Sequence, residues 1–173
     1  MRIDSREMGI VTPRLDLIAR RTSPDVFHAL EWGTSWGREV IDDLKTVAEA
    51  SDRSRARLCL HPTPEEQHQE MLIVMRASAI ERAQRRTTGF DTKIVVEGRA
   101  TLRYFTPTGR PTRAISLGDD HAMYVQTRSA EYHSLLVESD WFVFLEILQG
   151  PFNAATTEFA AWDVRLERWE SNE

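Results

Sequence analysis

Apolar residues recur with two different periods along the chain, and the period changes near residue 56. Before the change, Val40, Ile41, Leu44, Val47 and Ala48 fall on one side of a helix, with Asp42, Asp43, Lys45 and Glu49 on the other. This spacing predicts a helix over about residues 36–50, capped by Thr34 or Ser35 and ended by the polar stretch Ser51 to Arg55. Ser23-Pro24-Asp25 has the form of a helix start: a cap residue, then Pro in the first turn, then an acid. Val26, Phe27 and Leu30 would give that short helix an apolar side. Residues 1–21 are weakly periodic and carry Arg2, Arg6, Arg14, Arg20 and Arg21. They read as a loose arm or as an edge strand given to a neighbour.

From Ala56 the pattern has the two-residue period of strands. Arg57 to His61 alternates, Pro62-Thr63-Pro64 breaks it, and Met71 to Met75 is a short apolar run. Asp91–Glu97, Ala100–Phe105, Arg113–Leu117, Met123–Thr127, Tyr132–Val137 and Trp141–Leu148 are all strand-like. Turn signals separate them at Glu97-Gly98, Pro107 to Pro111, Gly118-Asp119-Asp120, Glu138-Ser139-Asp140 and Gly150-Pro151. Evenly spaced short strands predict a closed or sandwiched antiparallel sheet. The expected organisation is an arm with helices over residues 1–55, one β domain over residues 56–165, and a polar, Glu-rich tail over residues 166–173.

Length and charge narrow the partners. The 173 residues suffice for one domain with a sizeable core. A net charge of -5 argues against nucleic acid as the main partner, since phosphate binding needs a basic surface. The basic run Arg82 to Arg86 can still bind a small anion. No apolar run approaches the ~20 residues needed to span a bilayer, and the N-terminal residues lack the layout of a secretory signal. Cys59 is the single cysteine, which rules out an intrachain disulfide and fits a reducing compartment. The expectation is a cytoplasmic protein with neither a nucleic-acid nor a membrane partner.

Several segments together resemble the WbuC-type cupin-fold metalloproteins. They are Arg55 to Pro62, Glu70 to Val74, Val95-Val96-Glu97-Gly98, Tyr132 to Leu136, Trp141 to Glu146, Gly150-Pro151-Phe152 and Thr157 to Trp162. The likeness covers about residues 38–165, and their order and spacing carry it. It implies a mainly β fold: a cupin, or double-stranded β-helix (jelly-roll) barrel, with an N-terminal helical segment. It also implies a homodimer. The family is linked to gene clusters for cell-surface polysaccharide, and its best-supported property is metal binding.

The metal box of that pattern is altered here. Gln84 and Arg86 stand at the positions of two His ligands, Asp91 at that of the Glu, and His133 at that of the last His. A guanidinium has no lone pair to give and repels a metal. The expected cofactor is therefore none; a metal, if held, would use His133, Asp91 and Gln84. In the metal's place, Arg86 can clamp a carboxylate or phosphate through paired hydrogen bonds. His133 can then act as general acid or base and Asp91 can orient it. Gln84, Tyr124, Gln126 and Glu146 are candidate pocket residues, with Arg86 or Arg103 as possible partners for Glu146.

This reading is an isomerase, cyclase or lyase acting on a small polar or anionic metabolite. Its competitors are a metal-dependent cupin with an altered ligand set and a non-catalytic ligand-binding or scaffolding cupin. Each residue also has a plainer role open to it: a solvated Arg run, a turn-capping Asp91, a structural His133. Cys59 and His61 share one strand face and suit either a nucleophile and base or, more commonly, a buried structural thiol. His28, His68 and His121 show no ligand-type spacing.

Overall fold

The computed structural model describes residues 14–163; the expected tail at 166–173 and most of the basic arm lie outside them. The chain runs α1 (Leu15–Ile18), β1 (Ala19–Ser23), β2 (Val26–Ala29), α2 (Arg38–Ala50), β3 (Arg55–Cys59) and β4 (His68–Arg76). It continues through β5 (Gln84–Arg86), β6 (Phe90–Glu97), β7 (Ala100–Phe105), β8 (Pro111–Leu117), β9 (Tyr124–Arg128), β10 (Tyr132–Val137) and β11 (Trp141–Gln149). A 3-10 turn (Ala154–Thr156) leads into β12 (Thr157–Phe159). Among the described residues no helix is long and apolar enough to cross a membrane.

The strands form a seven-stranded sheet, β1-β2-β3-β4-β11-β6-β9, and a five-stranded sheet, β12-β5-β10-β7-β8. Their inner faces share one core. Met71, Ile73, Met75, Val95, Phe142 and Phe144 of the large sheet meet Leu102, Tyr104, Leu135 and Val137 of the small one. The outer face of the large sheet is covered by α2, which sets Val40, Ile41, Leu44 and Ala48 against Ala56, Leu58, Leu72, Val74 and Val143. This explains the apolar run Met71 to Met75, which does not alternate. Both faces of β4 are covered, so inward and outward residues are equally buried. The turn after β6 requires Gly98. Its φ is +83°, and a Cβ there would lie 2.0 Å from the Trp141 carbonyl oxygen.

One expected element is replaced. Ser23-Pro24-Asp25 does not start a helix: Pro24 and Asp25 turn the chain between β1 and β2, a hairpin closed by the Ser23–Val26 pair. β2 then runs parallel to β3, pairing Val26 with Arg57, Phe27 with Leu58 and His28 with Cys59. Four residues cannot sustain a helix by themselves, whereas as a strand they gain ladder bonds on both edges. The N-terminal hairpin thus extends the large sheet.

Candidate active site

Residues on β6 alternate, so Asp91, Lys93 and Val95 point into the space between the sheets. The ladder aligns a row across the large sheet: Cys59 beside Met71, Met71 beside Glu146, Glu146 beside Lys93, and Lys93 beside Val125. The next row holds Gln69, Leu148, Asp91 and Thr127. Opposite, β5, β10 and β7 align Gln84, His133 and Tyr104. The Tyr104 hydroxyl and Thr127 Oγ1 are 2.8 Å apart, joining the two sheets beside Asp91.

Lys93 is the centre of this arrangement. Its Nζ donates to Asp91 Oδ2 at 2.6 Å and to Glu146 Oε1 at 2.8 Å, with the side chain 2% exposed. The cation at Asp91 is therefore Lys93 and not Arg86, and Lys93, not Arg86 or Arg103, is the partner of Glu146. Burial alone would lower the Lys93 pKa, but Asp91, Glu146 and Glu81 outweigh it and hold the amine protonated. A lysine held as ammonium is neither a base nor a nucleophile. An ammonium has three N–H groups, and two have acceptors among the described residues.

His133 is buried, with Nε2 3.4 Å from Asp91 Oδ2. Its Nδ1 lies 3.0 Å from the Glu131 carbonyl oxygen, an acceptor, so Nδ1 carries a proton. The neutral ring would then turn an Nε2 lone pair towards a carboxylate, whereas the imidazolium turns an N–H. The pKa follows this geometry: burial lowers it, but the Asp91 contact outweighs burial and the net shift is upward. Burial also pushes Asp91 up, yet Lys93 and His133 together hold its carboxyl well below the usual range. Glu146 moves the other way: burial and the Asp91 charge outweigh Lys93 and raise it. The site thus pairs a carboxylate fixed as an anion with a carboxyl drawn towards its neutral form. Asp91 Oδ1 and His133 Nε2 are buried without a hydrogen-bond partner.

Asp91, His133 and Glu146 therefore meet around Lys93, and Gln84 is half-buried in the ladder beside His133. Arg86 is half-buried on β5, with Nη2 3.4 Å from Thr156 Oγ1 and a buried Nε that has no partner. Neighbouring Arg85 turns outward to Glu158 and lies over the Tyr132 ring. Tyr124 and Gln126 are not pocket residues. They alternate with buried Val125 and Thr127, are exposed on the outer face, and Gln126 donates to Thr92. The metal that the family pattern implies does not fit the present side chains. At Asp91 it would have to displace an ammonium 2.6 Å away. Its donors would be Asp91 and Glu146, both already bonded to that ammonium, one imidazole already turned to Asp91, and an amide.

Lys93 was missed because a charged residue in an alternating strand reads as solvated. The signal was available: placing Asp91 inward places Lys93 inward too, two residues on.

A family profile described as "Domain of unknown function (DUF6016)" matches residues 37–117. No curated protein matches the chain. Among solved structures, CapF, in a complex with the inhibitor 3-isopropenyl-tropolone, superposes with a TM-score of 0.54 at 16% identity, covering 63% of this chain and 32% of CapF. Protein SO0799 from Shewanella oneidensis gives 0.49 at 13% identity, covering 55% of this chain and 63% of that one. Oxalate decarboxylase from Bacillus subtilis gives 0.48 at 16% identity, covering 61% of this chain and 27% of the enzyme. The chain thus spans less than two thirds of each of these proteins. The fold is the expected one, mainly β and cupin-like, with two facing sheets and a short N-terminal helical part.

Proposed function

We propose that the chain is a metal-independent acid–base enzyme of the cupin type, acting on a small polar or anionic metabolite. The supporting observation is Asp91 Oδ1, buried without a hydrogen-bond partner, in a carboxylate flanked by His133 Nε2 at 3.4 Å and by an ammonium with two of its three N–H groups accepted among the described residues. Leaving a buried polar atom unpaired costs about 1–3 kcal/mol, and a bound ligand with matching groups removes that cost. In this reading His133 exchanges a proton with the substrate, and Asp91 stabilises its charged form. The third N–H of Lys93 meets oxygen charge that develops during the reaction, the role a metal has in other sites. Glu146 serves as a second proton carrier, and Arg86 with Gln84 holds the anionic part of the substrate. Isomerisation, cyclisation and elimination all need only these groups. The WbuC-like sequence pattern favours a sugar, a nucleotide sugar or a related acid.

A direct test is uptake of deuterium from D2O into keto sugars, nucleotide sugars and unsaturated or 2-oxo acids, with excess chelator present. At least one class exchanges, and His133→Ala slows that exchange by about 100-fold or more. Exchange that needs added metal, or that ignores His133, contradicts the proposal. The burial of Lys93, Asp91 and His133 favours a second reading, a non-catalytic binding barrel. That reading gains if a ligand binds saturably and nothing exchanges.

A further inference from the structure

The parallel pairing of β2 with β3 sets His28 beside Cys59, and His61 follows Cys59 by two residues. One ligand atom from each of the three lies within 4.8 Å of the others. The sequence separates His28 from the other two by about thirty residues, so only the hairpin that replaced the expected helix reveals the group.

The geometry points to a transition-metal site, built for zinc or a similar divalent ion, with His28, Cys59 and His61 as ligands and a fourth position left to solvent. With mutual spacings of at most 4.8 Å, a point can be placed within about 2.8 Å of all three atoms. Zinc bonds to nitrogen and sulfur are about 2.0–2.3 Å, so each side chain closes by well under 1 Å. Two imidazoles and a thiolate are the donors that zinc prefers over calcium or magnesium.

The surrounding contacts orient the rings for this role. His28 Nδ1 lies 3.0 Å from Thr22 Oγ1, whose own proton goes to the Val26 carbonyl oxygen, so this ring donates from Nδ1 and keeps an Nε2 lone pair for a metal. His61 Nδ1 lies 3.1 Å from both the carbonyl oxygen and the N–H of Glu70, and a metal at Nε2 selects the tautomer that donates to the carbonyl. The two rings meet edge to face, 5.7 Å between centroids. Burial lowers both imidazole pKa values, so both are neutral near pH 7. Burial raises the Cys59 thiol, and Arg57 opposes that rise. On binding, Cys59 releases its proton to solvent and the sulfur bonds the metal. The consequence is a clip: β2, an N-terminal strand, is tied to β3 and to the loop that follows it.

The test is cobalt titration of the full chain after chelator treatment. We expect one Co2+ per chain, a thiolate-to-cobalt charge-transfer band, and the intense visible bands of tetrahedral cobalt. The chain has one cysteine, so the band reports Cys59 alone. Cys59→Ser removes it. His28→Ala and His61→Ala each weaken binding at least about tenfold, while His68→Ala changes nothing. His28 lies near the sheet edge, so its variant keeps the fold in case Cys59→Ser does not. Zinc raises the melting temperature of the unaltered chain and not of Cys59→Ser. The inference is overturned if no charge-transfer band appears. It is also overturned if the His28→Ala/His61→Ala double variant binds as tightly as the unaltered chain. Neither result bears on the acid–base reading, which is tested with chelator present.

Discussion

Replacing Lys93 by Met keeps nearly the same side-chain volume and removes one charge. In the folded chain that charge lies 2.6 Å from Asp91 and 2.8 Å from Glu146, and the Lys93 side chain is 2% exposed. Removing one member of such a buried pair costs about 3–5 kcal/mol, because the other charge is left uncompensated. The figure applies to one carboxylate and not two. Glu146 already has a raised pKa and escapes its share by taking a proton, whereas Asp91 keeps only His133 at 3.4 Å. For a chain of this size the loss corresponds to about 6–20 °C in melting temperature. The penalty also depends on pH. Without Lys93 the Asp91 pKa rises, and protonation relieves the buried charge, so the gap to the unaltered chain is smaller at pH 5 than at pH 8. Urea unfolding at both values, followed by tryptophan fluorescence, measures this. A loss below about 1 kcal/mol at neutral pH, typical of a surface pair, would refute the reasoning. So would a loss of equal size at pH 5 and pH 8.

Three other perturbations follow from the same geometry. His133 has a folded pKa above its usual 6.5, so its contribution to stability is complete below that value and is lost as pH rises through the folded pKa. His133→Asn therefore flattens the decline of stability on the alkaline side, and an unchanged slope in denaturant titrations contradicts this. Gly98→Ala forces a side chain onto a backbone at φ +83° and against Trp141, at a cost of more than about 1–2 kcal/mol; an unchanged calorimetric melting temperature refutes it. Tyr124→Ala, on the outer face, changes stability by no more than about 0.5 kcal/mol and leaves deuterium exchange intact; a lost activity would return Tyr124 to the site.

Much of the β domain was legible because turns punctuate it. The bounds of Ala100–Phe105 and Tyr132–Val137 coincide with β7 and β10, and the helix at about 36–50 is α2. The hairpin at Ala19–Ala29 was not legible, since Ser-Pro-Asp suits a turn as well as a helix cap, and only pairing with β3 decides between them. Asp91, His133 and Glu146 were singled out in the sequence, and the structure brings them together around Lys93, but that arrangement was not legible. Glu146 and Lys93 are fifty-three residues apart and become neighbours through strand register alone. Tyr124 and Gln126 share a strand face, as the sequence indicated, yet alternation does not say which face is inside. His28 illustrates the same limit, since its ligand spacing exists only across two strands.

The central claim is that a protein ammonium holds the position at Asp91 that a metal would need. Manganese titration followed by electron paramagnetic resonance tests it most directly, because Mn2+ prefers oxygen and imidazole donors and does not seek out the Cys59 thiolate. The account predicts no tight Mn2+ binding in the unaltered chain and the appearance of a site in Lys93→Ala, where Asp91, Glu146 and His133 are freed. Tight Mn2+ binding by the unaltered chain that disappears in Asp91→Asn would contradict it.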